Sequence, residues 1–324
     1  MQQLLAGLAV AGSFALGAVT TPAAPHGTRV LTFGDPAIVE ASDLVVTDGL
    51  FVTTNDSGDT GQVFVVDQDG RTVGLTRWSN APTDVEALAP AGPGAVWVGD
   101  IGDNEGRRSS VSIARVPVGR GDREAHPTSY HLTYPDGGTD AETLVRDPVT
   151  GRLFIATKNV FGGILYAVPE HLDPSRPNPL TAVGRVLPVA TDGAFFPDGK
   201  HLVVRDYTSA VVYAWPSLQP VGSFALPAQR QGEGIAVAAD GGVYLSSEGP
   251  RSTVLRVSLP ASIRQAVSGE AVASPSSRDA APSTSTVADP AETEPSGRDA
   301  RPWLLGGLLG VAALVVLLRA LRPR

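Results

Sequence analysis

Five times along the chain an acidic residue opens a short apolar run. The copies read Glu40-Ala-Ser-Asp43-Leu-Val, Asp84-Val-Glu86-Ala-Leu, Asp140-Ala-Glu142-Thr-Leu, Thr191-Asp192-Gly193-Ala-Phe and Gln231-Gly-Glu233-Gly-Ile235. Glu40, Glu86, Glu142, Asp192 and Glu233 stand 46, 56, 50 and 41 residues apart. WD-type propeller blades repeat at about 40–45 residues and kelch blades at about 50. The interval predicts a propeller with one acid at the entry to each blade.

The intervening sequence fits that reading. Short alternating or wholly apolar runs recur at 50–54, 62–67, 95–99, 111–116, 153–157, 164–168, 202–205, 210–215, 243–246 and 253–258. Between them lie turn signals such as Asp67-Gln-Asp69-Gly70, Asp147-Pro-Val-Thr-Gly151, Pro197-Asp198-Gly199 and Asp240-Gly-Gly242. Helical periodicity is nearly absent, so the class is all-β. Grouping four strands after each acid gives blades at 40–77, 84–134, 140–189 and 191–227. A fifth, at 231–259, has only three strands. Residues 29–33 are expected to supply its outer strand, closing the ring and leaving no open edge. Five blades fit the length; a six-bladed alternative needs another blade hidden in 118–134 or 169–189.

The two ends are of different character. Residues 1–24 resemble a secretory signal peptide: an Ala- and Gly-rich apolar stretch too short to span a bilayer, then small residues. Cleavage is expected near Ala23, with Thr21 at the −3 position; an uncleaved N-terminal anchor is the alternative. Residues 303–321 read as a single transmembrane helix, interrupted only by Arg319. Arg319, Arg322 and Arg324 place the tail, 322–324, in the cytoplasm. The propeller body, 28–262, is then an extracellular domain on a cell-membrane anchor. The Ser-, Pro-, Thr- and Ala-rich segment 267–301 is expected to be a disordered stalk, since it lacks the apolar residues to offset its ordering entropy.

Composition excludes several functions. With no cysteine there is no disulfide framework, thiolate metal site or thiol nucleophile. A net charge of −8 argues against a nucleic-acid partner. The five scattered histidines do not suggest Zn²⁺.

In a propeller the innermost strands line a central channel. The loops entering them share one face with the turns between second and third strands. Acidic openings (Glu40, Asp84, Glu86, Asp140, Glu142, Asp192, Glu233) are therefore expected to meet several turns at one mouth. Those turns are Asn55-Asp56-Ser57-Gly58-Asp59, Gly99-Asp100-Ile101-Gly102-Asp103-Asn104, Lys158-Asn159, Arg205-Asp206-Tyr207 and Ser247-Glu248. So many carboxylates require a neutralising cation, and hard oxygen ligands on Gly-bearing loops suit Ca²⁺. Candidate metal ligands are Glu40, Glu86, Asp100, Asp103, Glu142 and Glu233. Candidate ligand-binding residues are Asp56, Lys158, Asp192, Arg205 and Glu248, with Lys158 and Arg205 as a cationic flank. The same acids can instead bond backbone amides and cement the blades, a role that suits Asp84, Asp140 and Asp59. Arg107-Arg108 reads as a solvated loop tip.

Taken together, Glu40-Ala-Ser-Asp-Leu, Asn55-Asp-Ser-Gly-Asp59, Asp84-Val-Glu-Ala-Leu, Gly99-Asp-Ile-Gly-Asp-Asn104, Arg107, Asp140-Ala-Glu-Thr-Leu and Gln231-Gly-Glu-Gly-Ile give residues 28–260 a family resemblance. The stretch resembles a family of bacterial secreted or membrane-anchored β-propeller proteins. It is more distantly similar to phytase-like and esterase-like propeller domains, whose calcium-rich channel mouths hold phosphate. Asp35-Pro-Ala-Ile matches only part of the phytase opening motif, without its doubled acid and following Trp, so phytase activity does not carry over.

Three functions are open on this reading. One is a tethered binding module for a polar ligand, peptide or glycan. Another is a Ca²⁺-dependent phosphoesterase or other hydrolase, with Glu142 or Asp100 as base and Lys158 and Arg205 stabilising the departing charge. The third is a metal-free structural interaction domain. No Gly-x-Ser-x-Gly elbow is present.

Overall fold

Residues 62–66, Gln-Val-Phe-Val-Val, are apolar at nearly every position because both faces of their strand are covered. Val63 and Val65 point into one core, while Phe64 and Val66 point into another. The same period-2 division recurs in 153–156, where Leu153 and Ile155 face one way and Phe154 and Ala156 the other. Sheets buried on both faces and arranged radially produce this pattern.

The computed structural model describes residues 26–56, 60–79 and 82–269. The expected signal peptide, transmembrane run and tail, and the stalk from residue 270, lie outside them. The described chain is an all-β five-bladed propeller. β1 (Gly27–Thr32) precedes the first blade, which comprises β2 (Val45–Thr47), β3 (Leu50–Thr53), β4 (Gln62–Val66) and β5 (Thr72–Trp78). The second holds β6 (Val85–Pro90), β7 (Ala95–Asp100), β8 (Val111–Pro117) and, after β9 (Arg123–Ala125), β10 (Ser129–Thr133). The third holds β11 (Ala141–Arg146), β12 (Leu153–Thr157), β13 (Gly163–Ala167) and, after β14 (Asn178–Pro179), β15 (Thr181–Val186). The fourth is β16 (Asp192–Phe195), β17 (His201–Arg205), β18 (Ser209–Ala214) and β19 (Gln219–Ala225). The fifth is β20 (Gly232–Val237), β21 (Val243–Ser247) and β22 (Thr253–Val257).

β1 pairs antiparallel with β22, from Gly27 opposite Val257 to Thr32 opposite Thr253, so the N-terminal strand closes the last blade as expected. The inner strands contact one another in a ring: β2 with β6, β6 with β11, β11 with β16, β16 with β20, and β20 with β2. The stretches that could have hidden a sixth blade serve another purpose. β9 lies parallel on the outer edge of β5, and β14 lies parallel on the outer edge of β10. Each covers an edge that would otherwise be open to pairing with another chain.

Five apolar cores fill the five spaces between neighbouring blades. Close approach near the axis requires small residues. At Gly234 a Cβ would lie 2.2 Å from Ser246 Oγ and 2.9 Å from Leu44 Cβ, so only glycine lets β20 meet the first blade there. After β22 the chain forms α1 (Ala261–Ser268) and ends it at Gly269 in the left-handed region, φ 68°. Ile263 is buried in the core between the fourth and fifth blades, with Val267 packed at its edge. The helix runs on past 262, where the body was expected to end, because its apolar residues complete this core. Among the described residues no helix is long and apolar enough to cross a membrane.

Candidate binding site at the channel mouth

The five blade openings fall into two chemical kinds. Blades two, three and five enter with Glu (Glu86, Glu142, Glu233). Blades one and four enter with a hydroxyl residue followed by Asp (Ser42-Asp43, Thr191-Asp192). The hydroxyl residues stand where the other blades carry Glu, and each Asp stands one residue further on, among the inner-strand amides, which separates a mouth from a floor.

The glutamates reach the mouth. Glu86, Glu142 and Glu233 line a cavity of about 190 Å³ together with Glu40, Asp56 and Glu248. Ser42, Asn104, Gln231 and Lys158 complete it, so the lining is polar and carries six carboxylates against one ammonium. Lys158 Nζ is hydrogen-bonded and ion-paired to Glu142 Oε1 and lies 5.2 Å from the Tyr207 ring centroid. Burial alone would lower the lysine pKa, but the charge and hydrogen bond of Glu142 more than offset it and hold it up. Burial pushes Glu142 up to about 8 against the pull of Lys158. Glu86 is pushed up to about 10, first by burial and then by repulsion from Glu142, Asp56 and Asp84; a hydrogen bond from Ser42 opposes the shift. Glu233 is raised by burial despite the hydrogen bond from Gln231. Glu248 is raised by burial and by the charges of Glu40 and Asp56.

On the side of the mouth formed by blades one and two, Asp56, Asp84 and Glu86 bring carboxylate oxygens within 4.8 Å of one another. This is the one such group of three or more among the described residues. Its members are hard oxygen donors, the class that Ca²⁺ takes. Of the expected metal ligands Glu86 is in this group, while Glu40, Glu142 and Glu233 line the same cavity. Asp84 was read as a blade-cementing residue.

The aspartates form the floor. Asp43 and Asp192 are buried and hydrogen-bonded to each other. Asp43 accepts from the Leu44 and Leu88 amides, bridging blades one and two. Asp192 accepts from Gly193 N at 2.5 Å and Ile235 N at 2.6 Å, bridging blades four and five. The preceding hydroxyls repeat the tie: Ser42 Oγ donates to Glu86 O at 2.9 Å, and Thr191 Oγ1 donates to Glu233 O at 3.1 Å. Burial raises Asp43 to about 7, and burial with the Asp43 charge raises Asp192 well above the ordinary range. Two carboxyls in contact in a dry channel keep at least one proton between them. Leu44, Leu88, Gly193 and Ile235, whose amides bind the pair, also line an apolar cavity of about 270 Å³.

Several expected site residues are placed elsewhere. Asp192 belongs to this buried floor rather than to the ligand-accessible mouth. Arg205 is fully buried, with Nη1 donating to Gly234 O at 3.0 Å and Gln229 Oε1 at 3.2 Å. Arg205 pairs with Asp192 as Ala156 pairs with Thr143, so it lies within the buried ladder, and Tyr207 rather than Arg205 stands at the position of Lys158. Asp100 accepts from Thr83 N and Asp84 N and pairs with Arg108 at 2.9 Å, lining a groove with Trp78 and His131. Asp103 accepts from Arg107 N and Arg108 N, both at 2.9 Å, and so shapes its own loop. Asp140 accepts from Asp103 N at 2.9 Å, tying blade three to blade two. Of the arginine pair, only Arg107 is solvated; Arg108 also donates to Gly102 O at 2.7 Å. The four residues of the hydrolase reading therefore do not share a cavity.

No protein-family profile matches this sequence, and no curated protein matches it. Several solved structures are similar in outline. Hydrazine synthase of Kuenenia stuttgartiensis matches at 13% identity over 65% of this chain, with a TM-score of 0.39. The chain spans 56% of the length of that protein. A putative 6-phosphogluconolactonase from Bacteroides uniformis matches at 15% identity over 68% of each chain, with a TM-score of 0.40. The Dos1 propeller matches at 14% identity over 69% of this chain and 59% of its own, with a TM-score of 0.36. Likenesses this loose transfer neither ligand nor reaction.

Proposed function

We propose that this chain is a membrane-anchored extracellular binding module whose acidic channel mouth holds a Ca²⁺ ion and takes a polar ligand, peptide or glycan. The observation that carries the reading is the convergence of Asp56, Asp84 and Glu86 within 4.8 Å. Three carboxylates so close repel one another, and burial forces Glu86 to hold its proton far above its ordinary range. A divalent cation relieves both costs. Asp56, Asp84 and Glu86 would hold it, with Glu40 and Asn104 lining the same cavity. The apolar run 303–321 and the Ala- and Gly-rich run within 1–24 support an anchored, exported domain.

The test is thermal unfolding of the full-length chain with millimolar Ca²⁺, with Mg²⁺ and with chelator. A ligand of the folded state at one hundred times its Kd adds about 2.7 kcal/mol. The expected result is a Ca²⁺-selective rise in Tm that Asp56→Asn and Glu86→Gln remove. No rise at saturating Ca²⁺ refutes the metal site.

A further inference from the structure

We infer that the mouth binds an organic cation bearing N–H donors, an alkylammonium head, on the side walled by Glu142, Glu233 and Glu248. The inference rests on the reading of the mouth as the binding site and names the ligand class. Glu142 is the pointer. Its side chain is only 8% exposed and lines the cavity; Oε1 takes the Lys158 ammonium, while Oε2 has no hydrogen-bond partner. Glu248 Oε2, at the same cavity, is buried and also without a partner. Buried carboxylate oxygens are ordinarily satisfied, so two that lack donors at one cavity mark the place of a donor-rich ligand.

A second metal ion fits this side poorly. Glu142, Glu233 and Glu248 do not form a group of three with oxygens within 4.8 Å. An ammonium offers three N–H donors in divergent directions and can serve carboxylates that stand apart. Charge agrees in sign: the lining has six carboxyl groups and one ammonium, and a bound cation takes the place of the protons that burial holds on Glu86 and Glu142. The cavity of about 190 Å³ is large enough for such a head with its first carbons.

The experiment is calorimetric titration of butylammonium into the full-length chain, with tetramethylammonium, which has no N–H, as control. Saturable butylammonium binding is expected, with none by tetramethylammonium. Glu142→Gln and Glu248→Gln should each weaken it about tenfold, the loss of one charge-assisted hydrogen bond. Glu248 lies on a turn, so Glu248→Gln decides if the Glu142→Gln protein does not fold. Putrescine and a capped lysine dipeptide distinguish a free diamine from a peptide side chain as the source; tighter binding of either supports the inference. Absence of saturable binding, an equal response to tetramethylammonium, or undiminished affinity in the folded variants overturns it. If these ligands fail while Ca²⁺ still raises the wild-type Tm, this inference alone falls. If Ca²⁺ fails too, the mouth is not a cation site.

Discussion

Asp43→Asn separates the channel floor from every other titrating group in the protein. Asp43 uses one oxygen for Leu44 N, the other for Leu88 N, and shares a hydrogen bond with Asp192. An asparagine can donate to Asp192 as the protonated acid does, but it has only one carbonyl oxygen. One buried backbone amide is left without an acceptor, which costs about 1–3 kcal/mol. The wild-type acid carries a different penalty. Its pKa is about 7 in the fold, raised chiefly by burial, against about 3.9 in the unfolded chain. Between those values the native state binds a proton that the unfolded state has released. The stabilisation from that proton is therefore complete below about pH 4 and is lost as pH rises towards about 7, at about 1.4 kcal/mol per pH unit. Asparagine has no such dependence. The variant should be less stable than wild type near pH 4, equal about one to two units higher, and more stable by pH 7. Urea unfolding followed by tryptophan fluorescence at half-unit pH steps measures the difference. Glu86 and Glu142 are common to both proteins and cancel in it, while Asp192 loses the Asp43 charge in the variant, so the difference reports the titration of the pair. A gap that stays constant with pH, or widens as pH rises, refutes the protonated floor.

Further outcomes follow from the packing. Arg205→Ala removes the donor to Gly234 O and Gln229 and should cost about 3–5 kcal/mol, read by urea unfolding, with the Ca²⁺ response of the folded fraction intact. Gly234→Ala drives a methyl onto Ser246 and Leu44 and should destabilise by about 1–3 kcal/mol in the same assay. Ile263→Ala should cost about 2–5 kcal/mol, because α1 is part of the core between blades four and five.

Much of the architecture was legible in the sequence because it repeats. The blade acids, the turn residues and the lone strand at the N-terminus required only spacing and the need to close an edge. Glu86, Glu142 and Glu233 share one phase, and that phase alone brought them to one mouth. In the fourth blade Thr191 holds that phase and Asp192 stands one residue on, among backbone amides, as Asp43 does after Ser42 in the first blade. Arg205 stands two residues short of the position that Lys158 holds in its own blade, a shift that spacing between motifs does not resolve. Asp100 and Asp103 show that acids in Gly-rich turns bond backbone amides as readily as a metal: Asp103 those of its own loop, Asp100 those of Thr83 and Asp84. Asp84 was missed as a metal candidate for the converse reason: as a presumed blade-cementing acid it gave no sign that Asp56, from a separate turn, approaches it.

The central claim is that the mouth is a cation site centred on Asp56, Asp84 and Glu86. Its most direct test is calorimetric titration of Ca²⁺ into chelator-stripped full-length chain, wild type beside Asp56→Asn and Glu86→Gln. The account predicts saturable binding of one Ca²⁺ per chain in the wild type and its loss in both variants. No saturable heat in the wild type, or the same isotherm in all three proteins, would contradict it and leave the carboxylates as ties between blades.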